Sequence, residues 1–171
     1  VTLTPDYSKI IPNLFENTGE YSDDGLTLTW RLRKGTRWSD GMPYTTADIM
    51  WWWDNMVNDE RCKAPANPFF YIGANPTTGT PAKLLQLSAT DDYTLVMKLP
   101  AHNYLTNTVW ASGFWEFQET NMIPAHYLKQ FHPKFNNEFK DCKKLLEVKN
   151  KWFFDPNYPV LGPWVTVEEV P

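Results

Sequence analysis

One stretch near the start of this 171-residue chain constrains the fold more than any other, because its hydrophobic period changes from that of a strand to that of a helix. Between Leu26 and Arg33, leucine and tryptophan alternate without a break with threonine and arginine. That alternation is typical of a strand with one buried face. Two corners that contain glycine follow, at 34–35 and 38–41. The stretch therefore predicts a strand, a turn and a helix, in that order.

The helix is predicted to begin near Thr46. Thr45 and Asp48 have the spacing of a capping box, in which the Thr45 hydroxyl accepts from the backbone of Asp48 and the helix dipole favours the Asp48 carboxylate. Apolar side chains then recur at intervals of three and four residues, which predicts one buried stripe. This stripe comprises Ile49, Trp52, Trp53 and Met56. Trp51 lies off the stripe, so we expect it on a more polar, exposed side, the alternative being that it packs under a loop.

Other patterns extend this mixture of strands and helices. Asp24 and Gly25 stand between two arms with apolar patterning, and a second pair of alternating arms flanks the turn at 91–92. Both patterns predict antiparallel hairpins. The remaining predictions are helices at 103–111, 124–131 and 137–149, and an irregular segment over 1–18 pinned by Ile10, Leu14 and Phe15. The predicted fold class is α+β, with antiparallel hairpins forming a small sheet packed with helices.

The residues that usually carry catalysis or bind metals form no familiar pattern in this sequence. His102, His126 and His132 lack metal-ligand spacing with one another and with either cysteine. The sequence contains no phosphate loop, nucleophile elbow or dinucleotide-binding glycine pattern. A formal net charge of −4 gives no electrostatic footprint for nucleic acid. We therefore expect no enzymatic activity, no metal, no cofactor and no nucleic-acid partner.

The two cysteines, Cys62 and Cys142, allow one disulfide. The pair is too sparse to be a disulfide framework, and Cys142 shares a predicted helical side with Phe139 and Leu146. A buried free thiol is therefore the favoured state of Cys142. A disulfide remains the alternative if the protein is exported.

Four segments together carry a resemblance to a known family. LRKGTRWSDGMPYTTADI resembles the signature of the family 5 extracellular solute-binding proteins of ABC importers, the oligopeptide- and dipeptide-binding group. Further along, LSATDDYTLVMKLPAHNYL, IPAHYLKQFHP and LGPWVTVEEV are similar to later segments of that family, in the same order. The residues that match the signature motif are Trp38, Ser39, Asp40, Gly41, Thr45 and Asp48.

The resemblance implies one lobe of a clamshell receptor of the type II periplasmic-binding-protein kind. Residues 1–171 would be the smaller inserted lobe excised from a larger chain, with 1–18 and 160–171 connecting to the large lobe. The full receptor would lie outside the cytoplasmic membrane, in the periplasm or as a lipoprotein on the cell surface. There it would capture a peptide or oligosaccharide and dock on an ABC permease. The signature motif would then carry the fold rather than ligand recognition.

Aromatic side chains exceed the usual pattern of that family, and they supply the candidates for a contact surface. Aromatic residues make up 16% of the chain and include nine tryptophans. Those expected to face a ligand or a neighbouring lobe are Trp51, Trp110, Phe114 and Trp115. The alternative is that all four are core residues. The same surplus also leaves open a freestanding carbohydrate-binding module, while a glycosidase domain would rest on aspartates alone.

Overall fold

The computed structural model describes residues 1–62, 70–111, 123–162 and 164–168, with only the backbone of Trp110. The chain forms two compact units. The sheet unit is Val1–Lys34 with Pro65–Glu119, and the helical unit is Gly35–Ala64 with Thr120–Pro171. The helices are α1 (Thr46–Trp52), a π-helix (Trp53–Val57), α2 (Thr106–Ala111), α3 (Ala125–Leu128), a 3₁₀ helix (Lys129–Phe131) and α4 (Lys143–Asn150). Within these described residues, no helix has the length and apolar character needed to cross a membrane.

The strands of the described residues lie in the sheet unit and pair antiparallel, which confirms both predicted hairpins. Their bounds are β1 Thr2–Leu3, β2 Ile10–Ile11, β3 Glu20–Tyr21, β4 Thr27–Arg31, β5 Tyr71–Ile72, β6 Lys83–Leu84, β7 Gln86–Asp91 and β8 Thr94–Lys98. The four-stranded sheet has the order β3-β4-β8-β7. Its central strands, β4 and β8, join the two hairpins, with Thr27 opposite Lys98. The two-stranded pairs are β1 with β2 and β5 with β6.

One face of this sheet is buried, as the alternation predicts. Leu28 and Trp30 of β4 lie opposite Met97 and Leu95 of β8, and all four side chains are fully buried. The Trp30 indole N–H contacts the side-chain oxygen of Asn107, on α2, at 3.4 Å. The backbone at Gly19, where φ is +93°, passes so close to Trp30 that a Cβ on residue 19 would lie 2.7 Å from the indole nitrogen.

The N-terminal segment differs from the prediction of an irregular approach. Residues 2–11 form the β1–β2 hairpin, which is closed by the backbone N–H of Thr4 donating to Lys9 and that of Tyr7 donating to Thr4. Tyr7 adopts a positive φ of 58°, which tightens the turn. The predicted pinning of this region is confirmed at Phe15, which is buried and bridges to Leu32.

The last helix begins later than predicted. α4 starts at Lys143 rather than near 137. Side chains of Asn136 and Asp141 accept from the backbone N–H two residues ahead, at Glu138 and Lys143. Such local turns compete with helix formation, so the helix is delayed until the second of them has closed. Leu145 is fully buried on this helix.

Candidate functional site

The signature motif forms a tight, internally bonded corner in the helical unit. The Gly41 backbone N–H donates to the Trp38 carbonyl at 2.9 Å, and that of Met42 donates to the Asp40 carboxylate at 3.0 Å. Gly41 has φ +88°, a conformation that side chains with a Cβ disfavour. The Ser39 hydroxyl accepts from the Val160 backbone N–H at 3.0 Å, which ties the corner to a distant segment.

Asp40 also contacts His126, on α3. Its carboxylate lies 2.7 Å from the His126 Nε2, and both side chains are partly exposed. Partial burial works against ionisation, but the Met42 N–H and His126 hold the pKa of Asp40 below its usual value. The Trp38 ring meets His126 edge-on at 6.1 Å. The corner therefore joins two segments that lie far apart in the sequence.

The predicted capping box is confirmed at the start of α1. The Thr45 hydroxyl accepts from the Ala47 N–H at 3.2 Å, and the Asp48 carboxylate accepts from the Thr45 N–H at 3.2 Å. The other carboxylate oxygen of Asp48 accepts from the Ala125 N–H, also at 3.2 Å. Burial raises the pKa of Asp48 above its usual value. One carboxylate thus caps α1 and holds α3 against it.

The expectation that Trp51 stands on an exposed side is wrong, because its side chain is only 7% exposed. His132 and Phe135 cover it, with ring centroids at 5.9 and 6.3 Å. Asn55, on the same side of the helix, is also buried, and its amide is shared between the Trp51 carbonyl and the Lys134 ammonium. The helix is therefore enclosed on the side that its own sequence marks as polar, which agrees with the alternative that Trp51 packs under a loop.

The other three candidates for a contact surface lie outside what the structure describes. Phe114 and Trp115 fall in 112–122, and only the backbone of Trp110, in α2, is described. Their role stays a prediction.

Cys62 and Cys142 form a disulfide, with Cα atoms 5.0 Å apart, so the favoured free thiol for Cys142 is wrong. Cys142 is buried as predicted, but Cys62 lies beside it across 80 residues of sequence. Local helical patterning gives no information about a contact of this range.

His132 completes a buried cluster with this disulfide. Its Nε2 lies 3.0 Å from the Cys62 sulfur and 2.9 Å from the Asn55 carbonyl, while its Nδ1 accepts from the Lys134 backbone N–H at 3.0 Å. A backbone N–H is always a donor, so Nδ1 is the unprotonated nitrogen and Nε2 carries the proton. A histidine that binds a metal through Nε2 needs the opposite arrangement, with Nδ1–H donating to an acceptor. The geometry therefore favours a disulfide beside a structural histidine over a metal centre.

An open cleft of about 430 Å³ lies in the sheet unit, over Leu32 and Tyr93. Its cations are already engaged, because Arg31 forms two hydrogen bonds with Glu20 at 2.7 and 2.9 Å. The Lys34 ammonium lies 5.5 Å from the centre of the Tyr93 ring and so covers one face of it. Arg31 is therefore paired, and Lys34 already occupies one face of the tyrosine in this cleft.

Two exposed rings of the sheet unit were not among the sequence candidates. His102 and Tyr104 are nearly parallel, with an interplanar angle of 18° and centroids 6.2 Å apart. Tyr104 is 67% exposed. Sequence reasoning missed them because they belong to a short loop without periodicity, and their alignment depends on contacts with Tyr21 and Gly25. No local signal reports such contacts.

Comparison with known proteins places the chain in a bacterial protein family. The model of the bacterial extracellular solute-binding proteins, family 5 (middle), matches residues 9–171. The chain is 32% identical over 161 residues to the periplasmic alpha-galactoside-binding protein of Rhizobium meliloti (strain 1021), a match that covers 92% of this chain and 20% of that protein.

Solved structures give the same result. The oligopeptide-binding protein OppA superposes with a TM-score of 0.76 at 27% identity, over 98% of this chain and 26% of that one. The periplasmic binding protein MelB of Agrobacterium fabrum C58, in complex with stachyose, superposes with a TM-score of 0.64 at 32% identity, over 94% of this chain and 22% of that one. The chain thus spans only a fifth to a quarter of the length of the relatives it matches.

Proposed function

We propose that this chain, which belongs to the family 5 bacterial extracellular solute-binding proteins, is the smaller inserted lobe of a receptor that captures a solute and delivers it to an ABC permease. The receptor acts outside the cytoplasmic membrane, in the periplasm or as a lipoprotein on the cell surface. The observation that carries the proposal is the family match over residues 9–171, together with the small share of each relative that this chain spans.

The ligand that we propose first is an oligosaccharide that contains α-galactosyl units. Two relatives at 32% identity support it: one is named for binding alpha-galactosides, and the other was solved with stachyose. A peptide is the second candidate, and the structural similarity to OppA favours it.

Exposed apolar residues near the end of the chain support the role that we assign to the connecting segment 160–171. Trp164 is 86% exposed, and Val165 and Val167 are exposed beside it. Large apolar groups left open in this way usually mark a contact site. We propose that they contact the large lobe, and that residues 1–18 form the other connection.

Within this proposal the signature motif supports the fold. Trp38, Ser39, Asp40 and Gly41 bond to one another and to segments of their own unit. Trp110, Phe114 and Trp115 remain our proposed residues for the side that faces the ligand or a neighbouring lobe. Trp51 is not proposed again, because it is buried.

The relatives described above are binding proteins, and none is described as a freestanding carbohydrate-binding module. We therefore propose binding and transport without a catalytic step, and neither alternative from the sequence is retained.

Titration calorimetry on the full-length receptor and on residues 1–171 tests the proposal. We expect the full receptor to bind stachyose or a short peptide with micromolar or tighter affinity, because closing opposed lobes buries most of a ligand. Residues 1–171 alone should bind either ligand weakly or not at all. Micromolar binding by residues 1–171 alone would instead support a freestanding module. Uptake of labelled ligand should also disappear from cells that lack the receptor.

A further inference from the structure

His102 and Tyr104 are exposed neighbours on the sheet unit, and we call this pair of rings the aromatic shelf. The rings lie within 18° of parallel, and their centroids are 6.2 Å apart. That separation is too long for two rings stacked face to face, so the rings are displaced sideways. Tyr104 is 67% exposed, so its ring is accessible to a sugar unit.

The shelf is fixed before any ligand arrives. The Asn103 side chain accepts from the Leu105 backbone N–H at 3.0 Å, and the Asn103 carbonyl accepts from the Tyr21 hydroxyl at 3.1 Å. Tyr21 also supports the Tyr104 ring, with centroids 5.8 Å apart. A rigid aromatic surface loses little conformational entropy when a ligand binds.

Gly25 lets the rings rest directly on the turn between β3 and β4. A Cβ at this position would lie 3.0 Å from the His102 Nδ1 and 3.3 Å from the Tyr104 hydroxyl. The φ of Gly25 is +64°, which also favours glycine. A side chain at this position would therefore push against both rings.

Polar groups lie at the edge of the shelf. The Asp24 carboxylate accepts from the Ser22 hydroxyl at 2.6 Å and from the Leu26 N–H at 3.0 Å, which holds it beside the loop. The pKa of Asp24 lies below its usual value, mainly because of these two hydrogen bonds and to a smaller extent because of the His102 imidazole. An aromatic face bordered by a carboxylate and an imidazole matches a sugar, which has an apolar C–H face and a rim of hydroxyls.

We propose that the aromatic shelf is a stacking subsite for α-galactosyl units of the oligosaccharide ligand. This inference rests on the proposed receptor function and names a place where the ligand touches this lobe. Galactose presents three C–H groups on one face, because its O4 is axial, and that face stacks on Tyr104 while Asp24 and His102 meet the hydroxyls.

The test is calorimetric titration of stachyose into the full-length receptor and its variants. We expect Tyr104→Ala to weaken binding about tenfold, since one stacking contact contributes on the order of 1.4 kcal/mol. Tyr104→Phe should bind like the parent, because it keeps the ring. His102→Ala should weaken binding by a smaller factor than Tyr104→Ala.

Two matched controls separate stacking from other causes. Leu105 is the adjacent residue and is 69% exposed, and Tyr7 is an exposed tyrosine outside the shelf. Leu105→Ala and Tyr7→Ala should leave stachyose affinity unchanged. If Leu105→Ala weakens binding as much as Tyr104→Ala, the shelf is an apolar contact with another lobe and the proposal is overturned.

The parent receptor separates this inference from the proposed function. A parent that binds stachyose while Tyr104→Ala binds equally well overturns the shelf alone. A parent that binds peptides and no α-galactoside overturns both the oligosaccharide assignment and the shelf, but leaves the receptor function in place.

Discussion

Contacts of different kinds stabilise the interior of the sheet unit and the interior of the helical unit. In the sheet unit, β4 and β8 pair through a repeating ladder from Thr27 opposite Lys98 to Arg31 opposite Thr94. The helical unit is stabilised instead by separate side-chain contacts. Examples are the disulfide between Cys62 and Cys142 and the hydrogen bond from the Ala125 backbone N–H to the Asp48 carboxylate. A repeating contact tolerates small local changes, whereas a single contact has no neighbour that replaces it.

The largest effect that we expect comes from the core of the sheet unit. Trp30 is fully buried, packs on Phe15 with centroids 6.0 Å apart, and contacts Asn107 through its indole N–H. Trp30→Ala should lower the free energy of unfolding by about 5 kcal/mol, the upper end for a buried tryptophan, because Asn107 also loses a partner. Guanidinium unfolding followed by circular dichroism measures this.

Thr29→Ala is the matched control for Trp30→Ala, since Thr29 lies next to Trp30 on β4 and points to the other face. Its cost should stay below about 1 kcal/mol. Equal losses in the two variants would mean that the ladder, and not the buried face, carries the stability of this sheet.

Loss of the disulfide should have the next largest effect on stability, and it tests how much a single contact contributes in the helical unit. The bond closes a loop across a sequence separation of 80 residues. Replacing both cysteines, as Cys62→Ala with Cys142→Ala, should lower the free energy of unfolding by roughly 4 kcal/mol through the entropy of the unfolded chain. Parent protein unfolded in a thiol reductant should match the double variant. A parent whose unfolding midpoint is unaffected by reductant would show that the bond does not form in solution.

The same contrast explains how much of the fold the sequence predicts. The alternation around Trp30 and the hairpin turn at Asp91 predict strands correctly, because a ladder imposes a period that the residues must follow. The capping box of Thr45 and Asp48 is also local and is confirmed. Such features need no knowledge of distant residues.

Single long-range contacts produce no periodic pattern in the sequence. The predictions about the candidate site residues depend most on such contacts and are therefore the least accurate. Trp51 lies on the polar side of its own helix, yet it is buried by His132 and Phe135, which lie about 80 residues further along the sequence. The prediction of a free thiol at Cys142 is wrong for the same reason, since only the folded chain brings Cys62 and Cys142 together. The aromatic shelf is similar, because Tyr21 and Gly25 contact rings that lie five strands further along the chain.

A third prediction concerns the buried His132. Burial lowers the pKa of its imidazole below the usual value of about 6.5. Between the unfolded and folded pKa values the unfolded chain binds a proton that the folded chain does not, so stability falls as pH falls below about 6.5. The loss is at most about 1.4 kcal/mol for each pH unit in that window.

Urea unfolding of the parent and of His132→Gln between pH 7.5 and 5.5 measures this slope. The variant should be less stable at pH 7.5 and should have a shallower dependence on pH. Asp59 does not contribute in this range, because its hydrogen bond with Arg61 lowers its pKa to about 2. Asp48, whose pKa burial raises, acts in the opposite direction in both proteins. Identical slopes would mean that His132 binds its proton equally well in the folded and unfolded chains, and the lowered pKa of the folded state would be wrong.

The smallest effect should come from a local feature of the helical unit that the sequence predicts in full. The Thr45 hydroxyl accepts from the Ala47 N–H and caps α1, whereas the bond from Ala125 to Asp48 holds the same helix end through a distant residue. Thr45→Ala removes only the first contact and should cost about 1 kcal/mol, with Thr45→Ser close to the parent. Asp48→Ala removes both kinds of contact and should cost more, because two backbone donors lose their acceptor. Guanidinium unfolding of the three variants decides between the two contributions. If Thr45→Ala costs as much as Asp48→Ala, the local cap and not the contact with α3 fixes this helix end, and the contrast between the two units disappears at this position.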